Sequence, residues 1–302
     1  MIAFRRAVLR KNVRSSAPAP ATEREGTGEG RMSEAQLFAA TTFTEIYERV
    51  LVGPLFRPFA EQLVARAAVN HGDSLIDVAC GTGIVARLAR ERLGPDARIV
   101  GVDVAPAMLA VARTVDQTID WREGNATSLP VSASERFTVV TCHQGLQFMP
   151  DKESAIREMH RVLAPGGRVA IATWSSLEDL PGIGELNAVA EQHVGRVVDS
   201  RHSLGDANAV KHLLLDAGFS EVTVGTFAHD VQFANGALFT RLNAMAVIGM
   251  SEKGKAMGEM ERGELADRIA AESQDLIGRA TRNGMFVLPL TTIIATGHVS
   301  RQ

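Results

Sequence analysis

The sequence predicts an α/β fold with a doubly wound, mostly parallel sheet of about seven strands. Three observations support this class. Short apolar runs alternate with stretches of helical periodicity between residues 74 and 174. The run Leu75–Val78 leads directly through a glycine turn into a helical stretch. Of the 302 residues, 45% are apolar, which is enough for one large domain. We expect N-terminal helices before the sheet and a helical lid insertion before its last strand.

The first 31 residues are excluded from the predicted fold, which we place at residues 32–302. Arginine-rich, acid-poor and rich in Ala, Pro and Ser, they resemble a mitochondrial transit peptide. A disordered extension, or an upstream start with Met32 as the natural beginning, is the other interpretation. Helices are expected over 34–70, with Pro54 and Pro58 breaking or restarting the pattern.

The sheet is predicted from five buried runs that alternate with helices. These strands are 74–78, 99–103, about 118–122, 137–142 and 168–174. Asp151 is expected to cap the helix before the fifth strand. We assign 71–175 to a nucleotide-binding core.

Beyond residue 175 the pattern is mostly helical, and we assign substrate or lid segments to about 176–218 and 234–290. Helices are predicted near 182–195 and 207–217, and strands near 221–227 and 291–298. The segment 236–280 is helical and rich in methionine. It forms either an apolar cover over a hydrophobic substrate or ordinary helix packing, including a dimer face.

Bulk properties exclude several classes of function. A net charge of −3 gives no general attraction to nucleic acid. No apolar run is long enough to anchor the chain in a bilayer. Cys80 and Cys142 lack CxxC spacing and a matching histidine cluster, so we expect no disulfide, no metal site and a reducing compartment. The cytoplasm is therefore the predicted location, with the mitochondrion as the alternative if residues 1–31 are a transit peptide.

The glycine turn predicts a nucleotide site. Residues 81–86 satisfy a loose GxGxx[GA] pattern, and Asp103 lies about 20 residues further on, where a carboxylate binds ribose hydroxyls. The alternative for Asp103 is an acid that caps the next helix. Asp77, inside the strand before the turn, separates the ligand classes. A carboxylate there suits the cationic S-adenosylmethionine better than the pyrophosphate of a dinucleotide.

Five ordered motifs carry a family resemblance. The chain resembles the class I S-adenosylmethionine-dependent methyltransferases, which are Rossmann-like, and is similar to the ubiquinone/menaquinone-biosynthesis type. The matching segments are Asp77–Gly83, Val100–Asp103, Glu123–Pro130, Cys142–Asp151 and Val162–Arg168. The resemblance is strong over about 43–175. Two positions depart from it: Ala79 stands where many members have glycine, and Asn125 replaces an aspartate. An Asn side-chain oxygen can still accept a hydrogen bond from adenine, unless Asn125 is simply a turn residue.

The resemblance implies a set of cofactor contacts. Asp77, Ala79, Gly81 and Gly83 surround the methionine tail, and Asp103 binds the ribose. Gln147 and Phe148 fall between cofactor and substrate. The full set of predicted cofactor-binding residues is Tyr47, Asp77, Ala79, Gly81, Thr82, Gly83, Asp103, Val104, Met108, Asn125, Ala126, Cys142, His143 and Gln147.

Methyl transfer is an in-line displacement, so the protein chiefly aligns the reactants and excludes water. Aromatic faces of Tyr47, Phe148 or Trp174 could stabilise the cation, or could be plain packing. Where the acceptor needs a base, His143 is the first candidate and His202 the second. The alternative for His143 is a lining role without proton transfer.

We therefore predict S-adenosylmethionine-dependent methyl transfer to a small-molecule acceptor, with homodimerisation as an option. The acceptor atom stays open between O, N, C and S. Two alternatives remain. One is an NAD(P)-dependent oxidoreductase that uses the same turn. The other is a non-catalytic accessory protein that binds the cofactor. Binding of S-adenosylhomocysteine rather than NAD(P)H rejects the first, and methyl transfer to an acceptor rejects the second.

Overall fold

The structure, a computed structural model, describes residues 42–301 and is built around an eight-stranded sheet. The strands in chain order are β1 (Leu75–Val78), β2 (Ile99–Asp103), β3 (Asp120–Glu123), β4 (Phe137–His143), β5 (Leu163–Trp174), β6 (Ser220–Phe233), β7 (Thr281–Arg282) and β8 (Met285–His298). Their order across the sheet is β3-β2-β1-β4-β5-β8-β6, with β7 pairing with β8. Strands β1 to β5 pair in parallel, and β8 is antiparallel to both of its long neighbours. The predicted fold class is confirmed.

The central strands are buried on both faces, which explains their nearly continuous apolar runs. Every residue of β1 and β2 is buried, and so are all but one in β4. Such runs are typical of parallel strands that helices cover on both sides. The carboxyl ends of β1, β2 and β4 therefore meet at one edge, where an open α/β sheet binds its ligands.

Helices flank the sheet or follow it in the second half of the chain. They are α1 (Phe43–Ile46), a π-helical stretch (Tyr47–Phe56), α2 (Arg57–Arg66), α3 (Ile84–Leu93), α4 (Pro106–Val115), α5 (Lys152–Arg161), α6 (Pro181–Val194), α7 (Ala207–Asp216), α8 (Gly236–Met250), α9 (Glu252–Lys255), α10 (Glu259–Glu272) and α11 (Gln274–Ala280). Short 3-10 turns occur at Leu146–Phe148, Leu177–Asp179 and Ser200–His202. Asp151 caps α5 as predicted, since its carboxylate accepts a hydrogen bond from the amide of Ser154 at 2.8 Å.

The prediction that Pro54 breaks the N-terminal helix is wrong. The chain stays helical from Phe43 to Arg66 because ten residues around Pro54 form π-helical turns. In an α-helix, proline lacks the N–H that bonds the carbonyl four residues back, and its ring clashes with that carbonyl. In a π-helix the hydrogen bonds join residues five apart, so the backbone around the proline is arranged differently. Pro58 lies in the first turn of α2, where proline is tolerated. The part of the predicted helix before residue 42 lies outside the described residues.

Strands β6 and β8 extend further than predicted. Phe227 to Phe233 pairs with Phe286 to Thr292, so the two strands continue as a ribbon beyond the end of β5. The ribbon packs against α6 and α8 in an apolar cluster that includes Trp174 and Phe239. The packing against α6 and α8 stabilises the ribbon, and the sequence pattern of each strand alone does not indicate this packing.

The methionine-rich segment forms α8 to α11, between β6 and β8. Met245 and Met257 pack against a buried cluster formed by α6, α8 and α10, and Met260 is exposed. These contacts favour helix packing over an apolar cover for those methionines. No helix within residues 42–301 is long and apolar enough to cross a membrane.

Candidate functional site

A cavity of about 840 Å³ opens at the carboxyl edge of the sheet. Two groups of elements line it. We call the wall formed by the carboxyl ends of β1, β2 and β3 and the residues that follow them the sheet-edge half. It includes Asp77, Ala79, Cys80, Gly81, Thr82, Asp103, Val104, Met108, Asn125 and Ala126. We call the wall formed by the π-helical stretch, α6, α8 and their neighbours the helical half; it includes Leu51, Leu55, Phe56, Trp174, Leu180, Ile183, Arg201, His202, Phe239, Leu242, Asn243 and Leu290. A volume of this size suits one or two small organic ligands.

Three residues of the glycine turn have positive φ angles, and the sharp turn they make lies beside the cavity. Ala79, Gly81 and Gly83 have φ of 56°, 56° and 91°. A Cβ added at Gly83 would lie 2.2 Å from the ring of Trp121, so this position has no room for a side chain. A Cβ at Gly81 would meet nothing within 4 Å, because that residue faces open space. The turn is therefore closed on the protein side and open on the cavity side.

Asp77 is a buried carboxylate with an incompletely satisfied oxygen. Oδ1 accepts a hydrogen bond from the hydroxyl of Thr141 at 2.8 Å, whereas no residue within 42–301 makes a geometrically good hydrogen bond to Oδ2. Burial raises the pKa of Asp77 to about 7, the hydroxyl of Thr141 and the amide of Ala86 oppose the rise, and the charge of Asp103 adds to it. A cation bound in the adjoining cavity would favour the charged form of this carboxylate.

Asp103 connects the second strand to the glycine turn. Oδ2 accepts a hydrogen bond from the amide of Gly81 at 2.7 Å, and Oδ1 accepts one from the amide of Ala105 at 2.8 Å, at the start of α4. An ionised carboxylate can accept about four hydrogen bonds. Asp103 can therefore support the turn and the helix start and still accept two hydroxyl donors from the cavity.

Asn125 lines the cavity, but its oxygen is used locally. Oδ1 accepts hydrogen bonds from the amide and the hydroxyl of Thr127, at 2.9 and 3.0 Å. An amide oxygen has two lone pairs, so none is left for an adenine amino group. The turn alternative describes this oxygen better than the adenine contact does. Val104, Met108 and Ala126 line the same part of the cavity and leave apolar surface for a flat ring.

His143 and Tyr47 both line the cavity; His143 is buried and Tyr47 is half-buried. Burial lowers the pKa of His143 to about 3, and its Nε2 has no hydrogen-bond partner among residues 42–301. A histidine with so low a pKa is neutral at pH 7 but a weak base, which favours the lining role over proton transfer. Burial raises the pKa of Tyr47, so its hydroxyl stays protonated. The Tyr47 ring lies 5.0 Å from that of Phe56.

The remaining predicted residues divide between the cavity wall and its support. Phe148 lines the cavity and is 53% exposed, and Trp174 lines it from the end of β5. Gly83, Cys142 and Gln147 do not line it. Gly83 packs against Trp121, and the Gln147 amide donates to the side chain of Gln144 at 3.3 Å. Among residues 42–301, no group of three or more His, Cys, Asp or Glu side chains could hold a metal ion.

Sequence reasoning missed a polar cluster in the helical half. Asp199 accepts hydrogen bonds from Arg201 and from Asn187, the latter at 2.9 Å. Arg201 donates to the side-chain oxygen of Asn243 at 2.8 Å, and Asn243 donates to that of Asn187 at 3.0 Å. Three different elements supply these residues, so no local motif marks them. The two polar positions in the apolar stretches of α6 and α8 were the available signal.

His202 follows the cluster and lines the cavity. Its Nδ1 lies 2.8 Å from the carbonyl oxygen of Ser175. A carbonyl only accepts, so Nδ1 carries the hydrogen. Burial is the main cause that lowers the pKa of His202, while Ser175 and Asp199 oppose it.

Comparison with known proteins places this geometry in context. A methyltransferase domain family matches residues 76–171. The chain is 41% identical over 150 residues to a 2-phytyl-1,4-naphthoquinone methyltransferase of Thermosynechococcus vestitus, covering 45% of this chain and 65% of that protein. It is 30% identical over 186 residues to a ubiquinone/menaquinone biosynthesis C-methyltransferase of Xanthomonas campestris, covering 55% of this chain and 73% of that protein.

A solved structure extends the likeness to the fold. A phosphoethanolamine N-methyltransferase of Haemonchus contortus, in complex with phosphomonomethylethanolamine and S-adenosylhomocysteine, superposes with a TM-score of 0.51 at 17% identity. The match covers 86% of this chain and 57% of that chain. At this identity it supports the fold alone. These matches give no support to the oxidoreductase alternative.

Proposed function

Because this chain belongs to the class I S-adenosylmethionine-dependent methyltransferases, of the ubiquinone/menaquinone biosynthesis type, we propose that it methylates an apolar, quinol-like small molecule. The observation that carries the proposal is the buried carboxylate of Asp77, which lines the cavity beside an open glycine turn. A nicotinamide dinucleotide would bring its pyrophosphate against this carboxylate. The cationic methionine tail of S-adenosylmethionine suits a negative charge at this place instead.

The sheet-edge half fits S-adenosylmethionine group by group. Asp77 would bind the ammonium, and the backbone around Gly81 leaves room for the methionine chain. The two free acceptor sites of Asp103 would take the ribose hydroxyls. Val104 and Met108 would lie against the adenine. When bound, the cofactor supplies an activated methyl group on a positively charged sulfur.

The helical half fits an apolar acceptor. Its walls are aliphatic and aromatic side chains from elements far apart in sequence, such as Leu55, Trp174 and Phe239. These side chains exclude water from the reacting atoms and hold the acceptor in line with the methyl group. One relative is named for a phytyl-naphthoquinone and the other for quinone biosynthesis, and this apolar wall supports an acceptor of similar chemical kind here.

A direct assay tests the proposal. The chain is incubated anaerobically with methyl-labelled S-adenosylmethionine and reduced 2-phytyl-1,4-naphthoquinone, and the label in the methylated product is counted after chromatographic separation from the cofactor. Phosphoethanolamine serves as the polar control acceptor, with its product separated in the same way. We expect labelled product only with the quinol. Tight S-adenosylhomocysteine binding without transfer to any acceptor would support a non-catalytic accessory protein, and NAD(P)H binding in its place would revive the oxidoreductase.

The cytoplasmic location and the homodimer remain predictions from the sequence, with mitochondrial import through residues 1–31 as the alternative location. Fractionation of cells that carry the tagged chain checks the first. Sedimentation velocity of the purified chain checks the second.

A further inference from the structure

The polar cluster of the helical half is built around the guanidinium of Arg201. Asn187, Asp199 and Asn243 are buried, and all contact this group or one another. The surrounding walls are apolar, so burying these three polar side chains around a half-buried guanidinium is costly unless they are paired. Their mutual bonds fix the position of the guanidinium, which itself lines the cavity.

The cluster leaves one donor of Arg201 unused. A guanidinium carries five N–H groups. The Nε group donates to Asp199, one Nη1 hydrogen goes to Asn243, and Nη2 donates to Asp199 and, at 3.4 Å, to Asn187. One N–H on Nη1 therefore has no partner among residues 42–301, on a side chain that lines the cavity. Because Asp199 balances the charge, the donor is held in place without an unpaired cation.

His202, the next residue, offers the complementary acceptor. The Ser175 carbonyl holds the hydrogen on Nδ1, so a neutral imidazole keeps the lone pair of Nε2 free. The charged groups that act on this ring are Asp199, Arg201 and Glu178. Arg201 and His202 therefore present a fixed donor and a fixed acceptor from one 3-10 turn.

We propose that Arg201 and His202 recognise an ionisable hydroxyl on an otherwise apolar acceptor. The inference rests on the proposed function and assigns the polar end of its substrate. Arg201 donates its free Nη1 hydrogen to the hydroxyl oxygen, and Nε2 of His202 accepts the hydroxyl proton. The O–H bond breaks, an N–H bond forms on Nε2, and the electron pair stays on the oxygen beside the guanidinium. His202 is then the base and Arg201 the residue that sets acceptor specificity.

Two probes of equal apolar body test this inference on the full chain saturated with S-adenosylhomocysteine. They are 1-naphthol and 1-methylnaphthalene, in which a methyl group of similar size replaces the hydroxyl and can neither accept a hydrogen bond from Arg201 nor donate one to His202. We expect the unaltered chain to bind 1-naphthol about tenfold more tightly, the order expected for one hydrogen bond to a charged group. Equal affinity for the two probes overturns the inference without any variant.

Variants assign the preference to its residues. In Arg201→Gln and in His202→Phe we expect the preference to fall to within about twofold. The matched control is Arg279→Gln, an exposed arginine of α11 that pairs with Glu185 at 2.9 Å, and it should keep the tenfold preference. A preference retained in both cavity variants contradicts the inference.

Cofactor affinity distinguishes a failure of the proposed function from a failure of the roles assigned to Arg201 and His202. S-adenosylhomocysteine affinity is measured first on every variant and should equal that of the unaltered chain. Loss of probe preference with intact cofactor affinity supports the inference. No cofactor binding by the unaltered chain would instead refute the proposed function.

Discussion

The two halves of the cavity are built in different ways. The sheet-edge half consists of backbone turns that directly follow buried strands, together with the carboxylates of Asp77 and Asp103. The helical half consists of side chains from the π-helical stretch, β5, α6 and α8, which meet only in the folded chain. In the proposed function the cofactor would therefore bind to local backbone geometry, whereas acceptor binding would depend on tertiary packing. Variants in the two halves should therefore affect different measurements.

The largest effect is expected at the turn itself. Gly83→Ala places a Cβ 2.2 Å from Trp121 at a φ of +91°, and should lower the free energy of unfolding by about 2–5 kcal/mol. Gly81→Ala has open space around its Cβ and should cost only about 1–2 kcal/mol, from its φ of +56°. Urea denaturation measures both. Equal losses would show that the contact with Trp121 does not set the turn.

In the helical half, Asn187→Leu removes a partner from both Asp199 and Arg201. We expect a loss of about 1–3 kcal/mol in the free energy of unfolding, because buried groups become unpaired. S-adenosylhomocysteine affinity should stay unchanged in calorimetry. Asn208→Leu, on the exposed face of α7, is the matched control and should change neither quantity. A weaker cofactor affinity in Asn187→Leu would show that the halves are coupled.

Cofactor affinity should depend on pH through Asp77. Its pKa is about 7 in the folded chain, above the usual 3.8, so the charged form that would bind the ammonium of the cofactor is lost as pH falls below 7. We expect S-adenosylhomocysteine affinity to fall by up to about tenfold per pH unit below that point. Asp77→Asn should bind weakly and with little change between pH 6 and 8, whereas the exposed Glu123→Gln should behave as the unaltered chain. An unchanged pH dependence in Asp77→Asn would exclude this carboxylate as its source.

The same raised pKa predicts that the stability of the cofactor-free chain changes with pH in the opposite direction to cofactor affinity. A carboxyl with a raised folded pKa favours the protonated form, so the cofactor-free chain should lose stability as pH rises from about 4 to 7. Asp77→Asn should abolish this fall. Thermal unfolding at pH 5 and pH 8 measures it, and a parallel decline in the variant would contradict the assignment.

The smallest effect is expected at Ala79. Its φ of +56° is strained for alanine, so Ala79→Gly should relieve about 1 kcal/mol, partly offset by the greater freedom of glycine in the unfolded chain. The free energy of unfolding should stay equal or rise slightly. Ala89→Gly, inside α3, should instead destabilise the chain by about 1 kcal/mol or more. A comparable loss in Ala79→Gly would mean that its methyl contact with Gly145 outweighs the strain.

The sequence predicts the sheet-edge half well because its signals are local. Asp77, the glycine turn and Asp103 each lie within or just after a buried strand, and parallel strands bring their carboxyl ends together. The π-helical turns around Pro54 and the long ribbon of β6 and β8 depend on packing against other elements. They were not predictable from periodicity.

The polar residues of the helical half could not be predicted from the sequence for the same reason. Arg201 and Asn243 carry no motif, and their role follows only from contacts between α8 and the 3-10 turn. Burial lowers the pKa of both candidate histidines. His143 was the stronger candidate base by position, yet burial alone lowers its pKa to about 3. At His202 the Ser175 carbonyl and the charge of Asp199 oppose the effect of burial.

The most direct test of the division into halves is a calorimetric titration with S-adenosylhomocysteine. Asp103→Ala removes hydrogen bonds to a charged group, so the account predicts an affinity weaker by about 2–3 kcal/mol than that of the unaltered chain. Arg201→Gln should bind the cofactor as the unaltered chain does. Unaltered affinity in Asp103→Ala, or an equal loss in both variants, would contradict a cofactor site confined to the sheet edge.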